Sequence, residues 1–205
     1  LLEPARTNII PRSEDFDTGW SKSQVTINNN NIISPDGSQN AAKITENTDT
    51  GSHVVYDTLN SSVTSGNSYY FSCFVKKGTK RYFQLREGFS NTQINIDTNT
   101  FTVPYSLNLT DYQIQNYGND WYRISFKFTA DSSGNSQFAF YLLDDNQSTS
   151  YTGDGTANIY AWGAQIENGS YATSYIPTSG ATYQRQSDVA NGAGNSEVFN
   201  DSEGV

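Results

Sequence analysis

Apolar and polar residues alternate along most of this chain in short runs, each closed by turn residues. Alternation with a period of two places successive side chains on opposite faces of a strand. The pattern predicts strands near 41–45, 53–59, 69–77, 81–87, 92–96, 112–116, 121–129, 136–143 and 158–166. Between them lie turn signals such as Ser65-Gly66-Asn67, Lys77-Gly78-Thr79, Tyr117-Gly118-Asn119-Asp120 and Gly153-Asp154-Gly155. Residues 1–35 read as irregular, with Asn28-Asn29-Asn30-Asn31 as a polar turn and Ser34-Pro35-Asp36-Gly37 as another. No stretch of ten residues carries a helical period. Many short strands with regular turns predict an all-β fold, a sandwich or jelly roll of antiparallel sheets.

Parity then sorts the side chains. In 121–129, Tyr122, Ile124, Phe126 and Phe128 share one face, and Trp121, Arg123, Ser125 and Lys127 the other. In 81–87, Phe83 and Leu85 point inward while Tyr82, Gln84 and Arg86 point outward. In 136–143, Phe138, Phe140 and Leu142 go in, and Gln137 and Tyr141 go out. An outward face that mixes aromatic rings with Arg and Gln differs from an ordinary solvated surface.

Composition narrows the chemistry. The 205 residues include 14 Tyr, 11 Phe and 3 Trp, far too aromatic for a disordered chain. No run approaches the length of a membrane-spanning helix. The net charge of −9 leaves no basic face for nucleic acid; Lys76 to Arg81 read as a solvated hairpin loop. Cys73, set among Phe71, Phe74 and Val75, reads as a buried small hydrophobe. The start at Leu1 suggests a segment of something longer, and the Gly-, Asn- and Ser-rich stretch 191–205 a linker after a domain at 1–190.

No Gly-x-Ser-x-Gly elbow accompanies the single histidine, His53, which argues against a nucleophilic triad; one His and one Cys exclude a Cys/His zinc cluster, and no phosphate loop is present. Two enzymatic readings stay open: paired carboxylates for glycoside hydrolysis, and a lyase set of His53 with Tyr82, Gln84 and Arg86. The positive signal is for sugar. Pyranose C–H faces stack on flat rings, and sugar hydroxyls pair with planar Arg and Gln groups. Tyr82, Gln84 and Arg86 on one strand, with Gln137 and Tyr141 on another, supply both. Ser13-Glu14-Asp15-Phe16-Asp17, together with Asp36, offers oxygen ligands of the kind that calcium takes.

A series of motifs carries a family resemblance: Leu2-Glu3-Pro4-Ala5-Arg6-Thr7-Asn8, Ser13-Glu14-Asp15-Phe16 with Trp20, Ser34-Pro35-Asp36-Gly37, Phe74-Val75-Lys76-Lys77-Gly78, Asp120-Trp121-Tyr122-Arg123, Trp162-Gly163-Ala164-Gln165-Ile166-Glu167 and Thr173-Ser174-Tyr175-Ile176-Pro177-Thr178. In this order they resemble the carbohydrate-binding-module-like domain of phage tail fibre and structural proteins. That domain is similar, more loosely, to carbohydrate-binding modules of families 4, 9, 16 and 22. The resemblance implies a β-sandwich jelly roll, with 41–45, 158–166, 69–77 and 121–129 in one sheet and 53–59, 136–143, 81–87 and 92–96 in the other. It implies that the second sheet bears an oligo- or polysaccharide, with Tyr56 or His53 contributed by the edge strand. It also implies a structural Ca²⁺, with Asp17 as a ligand and Asp36 beside it, although Trp162-Gly163 stands where those modules close the site with two aspartates. A non-catalytic module of a virion tail or an extracellular enzyme follows, with homo-oligomers in the full-length protein, and Glu197 to Val205, at the end of the 191–205 linker, resemble the start of a truncated following lectin-like sandwich. A purely structural assembly domain and a polysaccharide lyase or hydrolase are the alternatives.

Overall fold

The computed structural model describes residues 2–57 and 62–189. The expected linker and following domain at 191–205, and the end of the predicted strand 53–59, lie outside the described residues. The chain is an all-β sandwich of the jelly-roll kind, with two six-stranded sheets in which every pairing is antiparallel. The back sheet runs, edge to edge, Asp111–Gly118, Trp121–Thr129, Ser68–Lys77, Asn158–Asn168, Ala41–Glu46 and Val25–Ile32. The front sheet runs Thr102–Leu107, Gln93–Asp97, Tyr82–Glu87, Phe138–Leu143, Val54–Asp57 and Trp20–Ser23. The order of neighbours within both sheets is the one that the family resemblance implies.

The core forms because both sheets turn their apolar parity inward. Phe71, Cys73, Ile124, Phe126 and Phe128 of the back sheet meet Phe83, Leu85, Ile94, Phe138 and Phe140 of the front. Phe71 lies nearly parallel to Phe138, with centroids 5.9 Å apart, and Phe16 meets Phe140 edge-on at 5.5 Å. Each such side chain contributes roughly 1.5–3 kcal/mol by leaving water.

One strand needs a correction in phase to join this core. Along Asn158–Asn168, Ile159 and Ala161 are inward, but so are Ala164 and Ile166, which have the opposite parity. A bulge between Trp162 and Gln165 inserts the extra residue, with Gly163 at φ +64°. A Cβ at Gly163 would stand 3.1 Å from the Phe74 ring and 3.2 Å from that of Tyr175. Gly163→Ala is expected to cost about 1–2 kcal/mol from the left-handed backbone alone, lowering the melting temperature by about 2–8 °C; a calorimetric scan measures it.

Residues 1–35 are more ordered than their pattern predicts. Arg6–Asn8 pairs with Tyr183–Arg185, and both Trp20–Ser23 and Val25–Ile32 are sheet edges. Edge strands bury little on one side, so their polar residues mask the alternation. The asparagine run lies inside the second of these strands, at an irregularity where Asn30 takes φ 55°. Thr102–Leu107 was likewise not expected, because Pro104 interrupts it; as an edge strand it tolerates the missing donor.

Candidate functional site

The outward parity of the front sheet builds three rows of side chains. Tyr56 lies opposite Ala139, Ala139 opposite Arg86, and Arg86 opposite Gln93. The next row holds Val54, Tyr141, Gln84, Asn95 and Tyr105. The third holds Leu143, Tyr82 and Asp97. Sheet spacing sets these neighbours about 4.8 Å apart, a rigid grid of rings and planar polar groups. Gln137 is exposed just ahead of Phe138–Leu143, where its carbonyl accepts from the Gly88 amide at 2.9 Å, one row beyond Arg86.

A trough of about 550 Å³ opens over this grid, between Pro104 and Tyr105 on one side and the segment Asn146 to Thr149 on the other. Its floor is an amide ladder. Gln84 Nε2 donates to Asn95 Oδ1 at 2.8 Å and to Gln93 Oε1 at 3.2 Å, and Asn95 Nδ2 donates to Gln147 Oε1 at 3.1 Å. Gln84 is only 4% exposed and its Oε1 has no partner among the described residues. A buried acceptor left unpaired costs about 1–3 kcal/mol, and Gln84 lines the trough. Tyr105, 46% exposed, stands at the rim. Tyr56, Arg86 and Tyr141 are half-buried on the same face, and their side chains make no hydrogen bond among the described residues.

Tyr82 shares the face but is not open to a ligand. The Arg81 guanidinium sits 4.6 Å from its ring centre, pinned to Asp97 through Nη2 at 3.0 Å and Nε at 3.2 Å, so one face of the ring is already taken. Its expected role as a stacking platform is corrected accordingly. Burial pushes Asp97 up, but hydrogen bonds from Arg81 and the Asn99 amide outweigh it and hold the carboxyl below 3.8.

His53 is a second correction. Val54 and Tyr56 take the outward parity, so His53 and Asp57 turn inward. His53 is 0% exposed, tilted against Tyr151 with centroids 4.4 Å apart, and neither ring nitrogen has a partner among the described residues. It reaches neither the trough nor the set Tyr82, Gln84 and Arg86, so the lyase constellation is not assembled.

The calcium ligands do not converge either. The Asp17 carboxylate is ion-paired to Lys22. Asp36 closes its own turn, accepting from Ser34 Oγ at 2.6 Å and the Ser38 amide at 2.7 Å. The acid beside Asp36 is Glu14, and Asn40 Nδ2 donates to both. Burial raises the Glu14 carboxyl above its usual value, against the hydrogen bond from Tyr175, and the Asp36 charge adds to the rise. Among the described residues no three His, Cys, Asp or Glu side chains are grouped to hold an ion. Asp17 and Asp36 therefore do not fit a resident Ca²⁺.

The depressed aspartates give the acid response a sign. Asp154 is held below 3.8 first by the amides of Ala157 and Thr156; Asp97 is also depressed. A folded value below the unfolded one stabilises above about pH 4 and is lost as pH falls through it. The melting temperature is expected to drop below about pH 4, less steeply in Asp154→Asn; calorimetry across pH 3 to 6 reads both.

Gln93, Asn95, Tyr105 and Gln147 were not singled out in the sequence. The alternation of Gln93, Asn95 and Asp97 with Ile94 and Ile96 carries the signal for two of them. Tyr105 lies on an edge strand and Gln147 on a loop, where no periodicity points to them.

No protein-family model and no curated protein matches the chain. Among solved structures it is similar to the N-terminal CBM22-1–GH10 modules of Clostridium thermocellum endo-1,4-beta-D-xylanase 10B, complexed with xylohexaose, at TM-score 0.44 and 15% identity over 85% of this chain and 30% of that one. It is similar to the CBM22-2 xylan-binding domain of Paenibacillus barcinonensis Xyn10C at TM-score 0.45 and 11% identity, over 80% and 98%. A carbohydrate esterase of the Shiga toxin-encoding bacteriophage phi24B gives TM-score 0.39 and 12% identity, over 83% and 100%. At that level the likeness bears on neither ligand nor activity.

Proposed function

We propose that this chain is a non-catalytic carbohydrate-binding module that lays a polysaccharide along the front-sheet trough. The observation that carries this reading is the unpartnered, buried Gln84 acceptor lining the trough, on a sheet face that holds Tyr141 and Arg86 beside it. Tyr141 and Tyr56 offer ring faces for pyranose C–H surfaces. Arg86 offers a forked donor whose side chain has no partner among the described residues. The amide ladder selects planar arrays of hydroxyls. Among the described residues of this face no two groups are placed as an acid–base pair, and the reading is retention.

The net charge of −9 opposes long-range attraction of a polyanion, which favours neutral chains such as xylans, glucans or galactans. One shallow site supplies about −4 to −7 kcal/mol, or millimolar to ten-micromolar affinity. Repetition in an oligomeric parent, a phage tail protein or an extracellular polysaccharide-degrading enzyme, would raise the avidity. The test is affinity electrophoresis in gels cast with xylan, β-glucan or galactan, beside an assay for released reducing ends. Retardation in at least one gel without product release supports the module. No retardation in any of the three, or steady product release, overturns it.

A further inference from the structure

The back sheet carries a larger cavity than the trough, on the opposite side of the sandwich. It measures about 650 Å³, within the range of small-molecule pockets. Its floor is one cross-strand row on the outward face, in which Trp121 lies opposite Lys76 and Lys76 opposite Tyr160. One wall is the end of Asp111–Gly118 and the turn after it; Tyr117 packs edge-on against Phe74 at 4.9 Å yet stays 50% exposed. The other wall is the loop through Ile33 and Gln39, fixed in place because Trp121 Nε1 donates to the Ile33 carbonyl at 3.1 Å.

The chemistry of this cavity is amphipathic and electrically neutral. Lys76 Nζ donates to the Asn119 carbonyl at 2.7 Å and lies 3.7 Å from Asp120, so its charge is already answered. An anionic ligand would gain little there. Along the floor each ring alternates with a polar tip, while Ile32, Ile33 and Pro35 form an apolar strip on one wall. A ligand with one C–H face and an edge of hydroxyls matches that alternation.

We infer that this cavity is a second saccharide site, for a neutral pyranose disaccharide, held between Tyr117 and Tyr160 with Lys76 and Asn119 as polar anchors. It is separate from the front-sheet trough and does not need that trough to be occupied. The two faces would let one copy of the chain bridge two glycan strands.

The test is an NMR titration of the ¹⁵N-labelled full chain with cellobiose, xylobiose, maltose and lactose, up to about 50 mM. At least one sugar is expected to shift the Trp121 indole N–H and the Gly118 and Asn119 amides along a saturating curve. Tyr117→Ala weakens that binding at least tenfold, and Tyr160→Ser does the same from the floor. Tyr141→Ala, altered on the opposite sheet, leaves it unchanged. Unmoved Trp121, Gly118 and Asn119 signals with all four sugars overturn the proposal. So do shifts that persist in both Tyr117→Ala and Tyr160→Ser, or that vanish in Tyr141→Ala. Loss of trough binding alone leaves this site standing, and the reverse holds for the trough.

Discussion

Tyr141→Ala is expected to abolish retardation in the polysaccharide gel that retains the wild-type chain. Tyr141 stands opposite Gln84 across one strand pair, one row from Arg86. A sugar ring seated on it therefore lies beside Gln84 and one row from the Arg86 fork. Removing a central aromatic anchor costs about 2 kcal/mol, close to thirtyfold in affinity, and a millimolar site weakened that far no longer retards. Tyr141→Phe keeps the ring and is expected to keep most of the retention. The ring is half-buried and has no hydrogen-bond partner among the described residues, so the melting temperature should move by only a few degrees. Undiminished retention in Tyr141→Ala, with the fold intact by circular dichroism, places the glycan elsewhere.

The largest loss of stability is expected from Lys80→Met. Lys80 Nζ reaches Glu46 Oε2 at 2.6 Å, with both side chains almost wholly buried. Glu46 also accepts from the Tyr151 hydroxyl at 2.5 Å and from the Asp154 amide at 2.9 Å. The ammonium lies 4.2 Å from the centre of the Tyr151 ring, whose other neighbour is His53. Burial, then the bond to Glu46, drives the Tyr151 hydroxyl far above its usual titration range, so it remains a donor. Taking away the cation leaves a buried carboxylate short of its counter-charge, a change worth about 3–5 kcal/mol. Urea unfolding should show that loss. The double variant Lys80→Met with Glu46→Gln should recover part of it, because no charge is then stranded. If Lys80→Met unfolds at the wild-type urea concentration, the pair is not a stabilising element.

How much of this was written in the chain differs from residue to residue. Strand parity is a property of the backbone, so the shared face of Gln84, Arg86 and Tyr141 follows from alternation alone. The cover over Tyr82 does not, because it depends on Arg81 swinging back from the strand end and on Asp97 arriving from the next strand. His53 was ambiguous for a local reason: Val54-Val55 is an apolar pair that fits either phase, and only pairing with Phe138–Leu143 decides it. The acids at 14, 15 and 17 are close in sequence, but their directions are set by separate partners. Glu14 turns to Tyr175 and Asn40, Asp15 to Arg12 and Asn29, and Asp17 to Lys22. The back-sheet cavity was hidden because its walls are a turn and a loop brought together by the Trp121 bond to Ile33.

The pairing of Ser68–Lys77 with Asn158–Asn168 has a consequence for synthesis. At about 5–20 residues per second, the earlier strand leaves the ribosome seconds before its partner exists, and waits with one flank unzipped. Such non-local closure is slow for a free chain as well. Trp162 belongs to the late strand and is sealed only when that zipper shuts, so its emission should change in the final kinetic phase of refolding and not in the initial collapse.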